Sequence, residues 1–230
     1  MAANVPLSAL RTRVRYWADA EQQATSGRYS SDEVKYRINL ACKRLFNMLV
    51  QARGHGYYSK DTAWSPLTSG QALYQLPADF FELECLTVTD GSDRIDLETW
   101  QEGERAFLHG SGQGASAISE LYYRLKGGAF ELVPAPASTG WSYLLRYVPT
   151  SPDMDAETDA FDGINGWEEW AVLTVAIGMK DKDEADVTVL ASERDRIEAQ
   201  IAAMAAERDA LRPDHILDVA GDWASSSTFC

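Results

Sequence analysis

The apolar residues near the N-terminus recur at the spacing of an amphipathic helix. Leu10, Val14 and Trp17 lie at positions i, i+4 and i+7, so they fall on one face. Ser8 stands just before this run and is suited to cap a helix. The pattern therefore predicts a first helix over residues 8–20.

A second helical run follows. Ser30 and Glu33 have the spacing of a capping box, in which each side chain bonds to the backbone of the other. Apolar residues then keep helical spacing as far as Arg53, and Gly54 ends the run. These signals predict a helix over residues 31–53.

The middle of the chain changes to the shorter period of β-strands. Strands are predicted at 73–76, 83–88, 94–97, 121–125, 130–133 and 143–148, with turns at Asp90-Gly91 and Lys126-Gly127-Gly128. Residues 98–108 are interpreted as a short helix within this region. The glycine-rich stretch 110–114 is interpreted as a flexible loop.

Helical spacing returns near the C-terminus and predicts helices over 164–180 and 184–211, with Pro213 ending the last one. The predicted fold class is α+β. Residues 1–60 and 160–211 are expected to form a helical bundle of about four helices. Residues 61–159 are expected to be an inserted β-rich domain, and 212–230 an extended C-terminal tail.

The helical stripes predict which side chains form a shared core. The residues that share the 3.6-residue spacing are Leu10, Val14, Trp17, Val34, Ile38, Leu45, Leu49, Trp170, Leu173, Ile177, Leu190 and Ile197.

Charge is spread unevenly along the chain, whose net charge is −14. Residues 1–60 carry ten Lys/Arg and four Asp/Glu, whereas residues 151–230 carry six and nineteen. A protein that grips nucleic acid is normally basic, so DNA binding by the whole chain is not expected. The asymmetry indicates either ordinary solvated faces or a basic end that meets an acidic surface.

The sequence contains none of the common catalytic or metal-binding motifs. Its three histidines stand apart from its cysteines, which excludes a zinc site of ordinary spacing. The Asp-rich stretch 153–162 has Thr158 and Ile164 where a calcium loop requires Gly and Glu. We therefore expect no enzyme activity, no metal and no cofactor.

The sequence also lacks targeting and membrane signals. No apolar run is long enough for a transmembrane span or for the apolar core of a signal peptide, so no membrane contact is expected. Three cysteines without close spacing are typical of a reducing compartment.

Three short stretches resemble the head-to-tail adaptor proteins of tailed bacteriophages, also called connector or head completion proteins. They are LPADFF (Leu76–Phe81), YRLKGGAFELVPAP (Tyr123–Pro136) and LLRY (Leu144–Tyr147). An Asp-containing loop, a Trp-bearing helix and a charged last helix follow, as in that family. Phe130 occupies a position where the family usually has Leu, and the hairpin glycine is doubled.

The resemblance implies a structural protein of the virion neck that is made in the host cytoplasm. Members form a dodecameric ring below the portal protein, extend the channel for double-stranded DNA without binding it specifically, and offer a surface to tail or nozzle proteins. The alternative is a scaffold or binding module of another phage or bacterial assembly.

The same resemblance suggests which residues make the contacts. The C-terminal segment would dock onto the portal through Ile216, Leu217, Val219, Trp223 and Phe229. The hairpin would serve ring and tail contacts through Phe130, Leu132, Pro134, Pro136 and Trp141, with the two prolines blunting an exposed edge. A closed ring requires different surfaces to meet, and the charge asymmetry suggests that Arg11, Arg13, Arg15 and Arg37 meet a neighbour's acidic helix.

Overall fold

The computed structural model describes residues 4–20, 29–53, 58–100, 114–164 and 166–204. In this part of the chain there are four α-helices: α1 (Leu7–Trp17), α2 (Ser31–Arg53), α3 (Glu168–Lys182) and α4 (Thr188–Met204). The bounds of α2 are those predicted, and the Ser30 Oγ accepts the predicted hydrogen bond from the Glu33 N–H at 3.1 Å. Helix α1 instead begins directly after Pro6, so Ser8 lies inside it.

The turn between α3 and α4 explains why the last helix starts later than predicted. Glu184 adopts a left-handed φ of 57°, which ends α3. The N–H groups of Glu184 and Ala185 close the turn onto the carbonyls of Asp181 and Lys180, both at 3.1 Å. Asp186 then accepts a hydrogen bond from the Thr188 N–H at 2.9 Å, and α4 begins there. Its predicted end at Leu211 lies outside the described residues.

The helices share one hydrophobic core. Leu7, Leu10 and Val14 of α1 pack with the apolar face of α2 and with most of α3. Helix α4 contributes Ile197 and Ile201. Most of the predicted core is confirmed, but Trp17 is 36% exposed, and Ile177 and Leu190 are only partly buried. The indole N–H of Trp17 bonds to Glu169 at 2.6 Å, which holds its ring at the surface.

The described strands are β1 (Asn4–Pro6), β2 (Lys60–Asp61), β3 (Ser65–Pro66), β4 (Leu73–Gln75), β5 (Phe80–Thr89), β6 (Arg94–Asp96), β7 (Glu98–Thr99), β8 (Tyr122–Lys126), β9 (Ala129–Val133), β10 (Ser142–Pro149) and β11 (Ala160–Asp162). They form three sheets. The first pairs β1 with β11, the second has the order β2-β10-β5-β6 with β3 also on β10, and the third has the order β4-β9-β8-β7.

The predicted fold class was wrong in its division into a helical bundle and a β-rich insert. The first sheet joins residues 4–6 to residues 160–162, so strand structure also belongs to the two segments assigned to helices alone. A three-residue strand carries too few positions to show a period, and its partner lies far away in sequence. The described chain is a mixed α+β structure of four helices and three sheets.

The helix predicted over 98–108 is also wrong where it can be compared. Glu98 and Thr99 form β7, which pairs with β8 in parallel. Residues 101–113 lie outside the described residues. The other predicted strands are present, and β5 is longer than expected because it continues back to Phe80.

The second and third sheets enclose a separate core. It is built around Phe130, whose ring stacks on Tyr74 at 5.3 Å and meets the edge of Tyr143 at 5.1 Å. Leu86, Val88 and Leu145 of the second sheet join it, together with Leu132 and the partly buried Tyr123 of the third. The molecule therefore has one core made by helices and another made between sheets.

Candidate assembly interface

The arginines predicted at a subunit contact are mostly engaged within the chain. Arg11 forms an ion pair with Glu157, and its side chain is only 13% exposed. Arg37 bonds to Glu33 at 3.0 Å and donates to the Gly178 carbonyl at 3.3 Å. Arg15 is half-buried and has no acidic partner among the described residues. Their role in a contact between subunits stays a prediction.

Arg13 forms ion pairs that link α1 to the start of α3. Its guanidinium lies 3.2 Å from a Glu168 carboxylate oxygen and 3.6 Å from one of Glu169. Glu168 is 5% exposed, and acidic side chains in the first turn of a helix are favoured by its dipole. Burial, followed by the negative charge of Glu168, raises the pKa of the nearby Cys42 thiol to about 12. The arrangement stabilises the subunit itself.

The residues predicted for the contact hairpin are divided between two sheets: Phe130 and Leu132 lie on β9 of the third sheet, and Trp141 directly precedes β10 of the second. Phe130, Leu132 and Trp141 are 0%, 1% and 6% exposed, so these side chains belong to the core of the subunit. Pro136 is also buried and Pro134 is half-buried. Strand β9 lies between β4 and β8, so the prediction that the prolines blunt an exposed edge was wrong. Sequence reasoning missed this because β4 has only three residues and weak periodicity.

Residues 134–136, which follow β9, instead form backbone hydrogen bonds with two loops that are distant in the sequence. The carbonyl of Ala135 accepts from the Ala115 N–H at 2.8 Å, and that of Pro136 accepts from the Gly70 N–H at 2.8 Å. Gly114 passes so close that a Cβ there would lie 2.6 Å from the Ala135 oxygen, which explains the glycine. The segment that resembles the family's PAP sequence is therefore a structural junction.

Two other stretches that resemble the family meet at Asp79. The Tyr147 hydroxyl donates to one carboxylate oxygen of Asp79 at 2.8 Å, and Lys60 forms an ion pair with the other. The hydrogen bond from Lys60, followed by that from Tyr147, lowers the pKa of Asp79. The ring of Phe80 stacks on Tyr147 at 5.8 Å. Next to it, Phe81 is 43% exposed.

Phe81 lines two clefts at the surface. One, of about 390 Å³, lies between Phe81, the α2 residues Lys43 and Asn47, and segment 150–153. The other, of about 410 Å³, lies between the start of β5 and the end of β8, where Leu125 is 49% exposed. The sequence did not predict the second cleft because its walls come from β5 and β8, two strands that do not pair with each other.

Further large apolar groups are exposed elsewhere on the described surface. They include Tyr16 on α1, Tyr36 and Leu40 on α2, Leu73 on β4 and Val189 on α4. Exposed apolar groups that cluster are typical of surfaces that bind other proteins. The predicted portal-docking residues Ile216, Leu217, Val219, Trp223 and Phe229 lie outside the described residues.

The described residues offer no metal centre: they contain no group of three or more His, Cys, Asp or Glu side chains that could hold an ion. Within the same residues, no helix is both long and apolar enough to cross a membrane. The described residues therefore form ion pairs within the subunit and line clefts that are open at its surface.

A sequence profile of the SU10 adaptor protein family matches residues 5–217. The chain belongs to the SU10 adaptor protein family. The resemblance to phage head-to-tail adaptors is thereby confirmed, and the chain is a structural protein of the adaptor type. No curated protein matches the chain.

Membership of the SU10 adaptor protein family implies contacts with other proteins of the virion. An adaptor acts by contacting portal and tail proteins in the neck of the virion. The family match covers all the described helices and, apart from Asn4 of β1, all the described strands, together with the first part of the predicted docking tail.

Proposed function

We propose that the chain forms a closed ring of about a dozen copies between the portal and the tail, and that this ring continues the DNA channel and joins head to tail. The match to the SU10 adaptor protein family over residues 5–217 carries this proposal. The subunit performs no catalysis in this role. Its work is to hold neighbouring proteins in a fixed arrangement.

Ring closure sets a requirement that the described surface can meet. In a ring of many copies each subunit contacts two neighbours through different patches. Exposed apolar side chains occur on the helices, as at Tyr36, and on the sheets, as at Phe81 and Leu125. A subunit with such separate patches can bind one neighbour with each.

The negative charge suits a channel through which DNA moves. A basic wall would hold phosphates and slow passage, whereas an acidic or neutral wall would not. Residues 181–186 are all exposed and carry four acids against one lysine. We place this run and the Asp-rich stretch 153–162 at the lumen or on the outer wall, with DNA passing without specific contacts.

The C-terminal tail is proposed as the arm that docks onto the portal. Beyond Pro213 it carries large apolar residues, which are suited to bury against a partner: Ile216, Leu217, Val219, Trp223 and Phe229. Segments of this kind often order when they bind.

Tailless capsids that bear portals provide the test. The full chain, added to them, is expected to appear in electron micrographs as a ring below the portal. Deleting residues 213–230 should abolish attachment if the tail is the docking arm. Unchanged attachment of the truncated chain would assign docking to the folded body. Failure of the full chain to attach would overturn the proposed function.

A further inference from the structure

Residues 150–159, the strap, follow β10 and pass the second sheet, α2 and α1 in turn. At the start of the strap, the Thr150 N–H donates to the Asp79 carbonyl at 2.7 Å, next to β5. At its end, the Asp159 carbonyl accepts from the Leu7 N–H of α1 at 2.8 Å. The strap therefore connects the second sheet to the first helix, and it contacts α2 between these two ends.

The middle of the strap is held by one asparagine side chain. Asn39 of α2 donates to the Met154 carbonyl and accepts from the Met154 N–H, both at 3.1 Å. The Met154 side chain is 3% exposed and packs in the helical core. Because the side-chain amide of Asn39 carries no net charge, dissolved salt screens this contact little.

Ion pairs flank the asparagine contact along the same side of α2. Lys43 lies 2.7 Å from a carboxylate oxygen of Asp153, and Lys35 lies 3.5 Å from one of Asp155. Lys35, Asn39 and Lys43 are four residues apart, so they form one row on the helix. The side chains of Asp153 and Asp155 are 55% and 84% exposed, so each pair is weak and is screened by salt.

The remaining acids of the strap are also engaged. The Asp159 carboxylate accepts from the N–H groups of Asp155 and Ala156, both at 2.8 Å, which closes a turn within the strap. Glu157 forms an ion pair with Arg11 of α1. All four acids of the strap therefore have partners within the subunit.

The first part of the strap is one wall of the cleft of about 390 Å³. Residues 150–153 line this cleft together with Phe81 and with Lys43 and Asn47 of α2. Because Lys43 also pairs with Asp153, the same ion pair fixes the wall to the helix. Separation of the strap from α2 would widen the cleft.

We propose that the strap is a latch in two parts, which sets the width of this cleft. The Asn39 contact is the part that salt does not open, and the ion pairs of Lys35 and Lys43 are the part that salt weakens. With Asn39 in place, the strap stays closed at low and high ionic strength. Without it the strap depends on the ion pairs, and it opens as they are screened. The latch is a property of the single subunit and does not rest on the proposed ring.

Asn39→Ala removes the uncharged part of the latch and leaves the ion pairs in place. The matched control is Asn47→Ala, at an exposed asparagine two turns further along α2 that also lines the cleft. The readout is hydrogen exchange of the Leu7 and Thr150 amides in the full chain, in about 0.05 M and about 1 M salt. Both amides bond to groups other than Asn39, so their exchange reports whether the whole strap opens.

In Asn39→Ala, both amides should exchange at least about tenfold faster in high salt than in low salt. In the wild type and in Asn47→Ala, the same change of salt should alter exchange by less than about twofold. If Asn39→Ala does not fold, Asn39→Asp, which loses the donor to the Met154 carbonyl, replaces it. In high salt, where the added charge is screened, both amides of that variant should exchange at least about three times faster than in the wild type.

Three results would overturn the latch. Faster exchange confined to Met154, with Leu7 and Thr150 unaffected, would reduce Asn39 to a local contact. Faster exchange at Leu7 and Thr150 that is equal in both salts would show that the ion pairs do not hold the strap. Wild-type exchange that rises with salt as much as in Asn39→Ala would show that Asn39 does not hold it.

Discussion

The helical region, formed by α1 to α4, and the sheet region, formed by the second and third sheets, differ in how their charged and apolar side chains are paired or covered. In the helical region, Arg11, Arg13 and Lys43 of α1 and α2 form ion pairs with acids on segment 153–157 or on α3. In the sheet region, two sheets leave a cleft where their strands have no described neighbour on one side. From this comparison we expect the ion pairs of the helical region to act within the subunit, and the sheet region to retain bonding capacity for a partner.

The largest stability loss is expected in the sheet core. Replacing Phe130 by Ala removes a fully buried ring that contacts Tyr74 and Tyr143, and should lower the free energy of unfolding by about 3–5 kcal/mol. Phe81→Ala, at a 43% exposed ring, is the control and should change it by less than about 1 kcal/mol. Denaturant unfolding measures both. Equal losses would mean that the two phenylalanines are not placed as described.

Two leucines of α2, one buried and one exposed, provide a matched pair of substitutions for the helical core. Leu45 of α2 is 0% exposed, and Leu45→Ala should cost about 2–5 kcal/mol of unfolding free energy. Leu40→Ala removes a side chain that is 39% exposed on the same helix and should cost less than about 1 kcal/mol. A change below about 0.5 kcal/mol for Leu45→Ala would remove that residue from the core.

The Asp79 junction, formed by Asp79, Lys60 and Tyr147, should make the stability of the sheet region depend on pH in the acid range. The pKa of Asp79 is lowered in the folded state, chiefly by the hydrogen bond from Lys60. A lowered pKa adds stability above the unfolded-state value of about 4, and this stability is lost as the pH falls through the folded-state value. Because the side chain is 42% exposed, Asp79→Asn should cost only about 0.5–1 kcal/mol at pH 7.

Unfolding curves of wild type and Asp79→Asn from pH 7 down to pH 3 measure this effect. The difference between them should shrink below about pH 4. Tyr147→Phe removes one of the two partners and should retain part of the acid dependence. A difference that stays constant with pH would show that the Asp79 charge does not contribute.

A further expected difference between the two regions concerns thiol reactivity and not stability. Cys42 lies in the helical core, and its raised pKa of about 12 keeps the thiol protonated at pH 8. Cys85 lies on β5 and is only half-buried. In a Cys230→Ser background, a maleimide should label Cys85 at least about a hundred times faster than Cys42. Mass spectrometry measures the two labelling rates. Equal rates would mean that the helical core opens as readily as the sheets.

The same contrast explains what the sequence could predict. Helix α2 repeats its pattern over 23 residues and carries a capping box, so its bounds were correct. Local signals do not reveal strand neighbours, so the inner position of β9 and the cleft beside β8 were missed. The intrachain partners of Arg11 and Arg13, which are Glu157, Glu168 and Glu169, were not predicted because they lie about 150 residues away in the sequence.

Hydrogen exchange of the whole chain, compared between the free subunit and the assembled neck, tests the central claim most directly. We expect the amides of residues 80–85 and of Leu125 to exchange at least about tenfold more slowly after assembly. The buried amides of α2 and α3 should change little. Unchanged exchange at Leu125 and residues 80–85, with new protection confined to the helices, would contradict the division between a self-sufficient helical region and a binding sheet region.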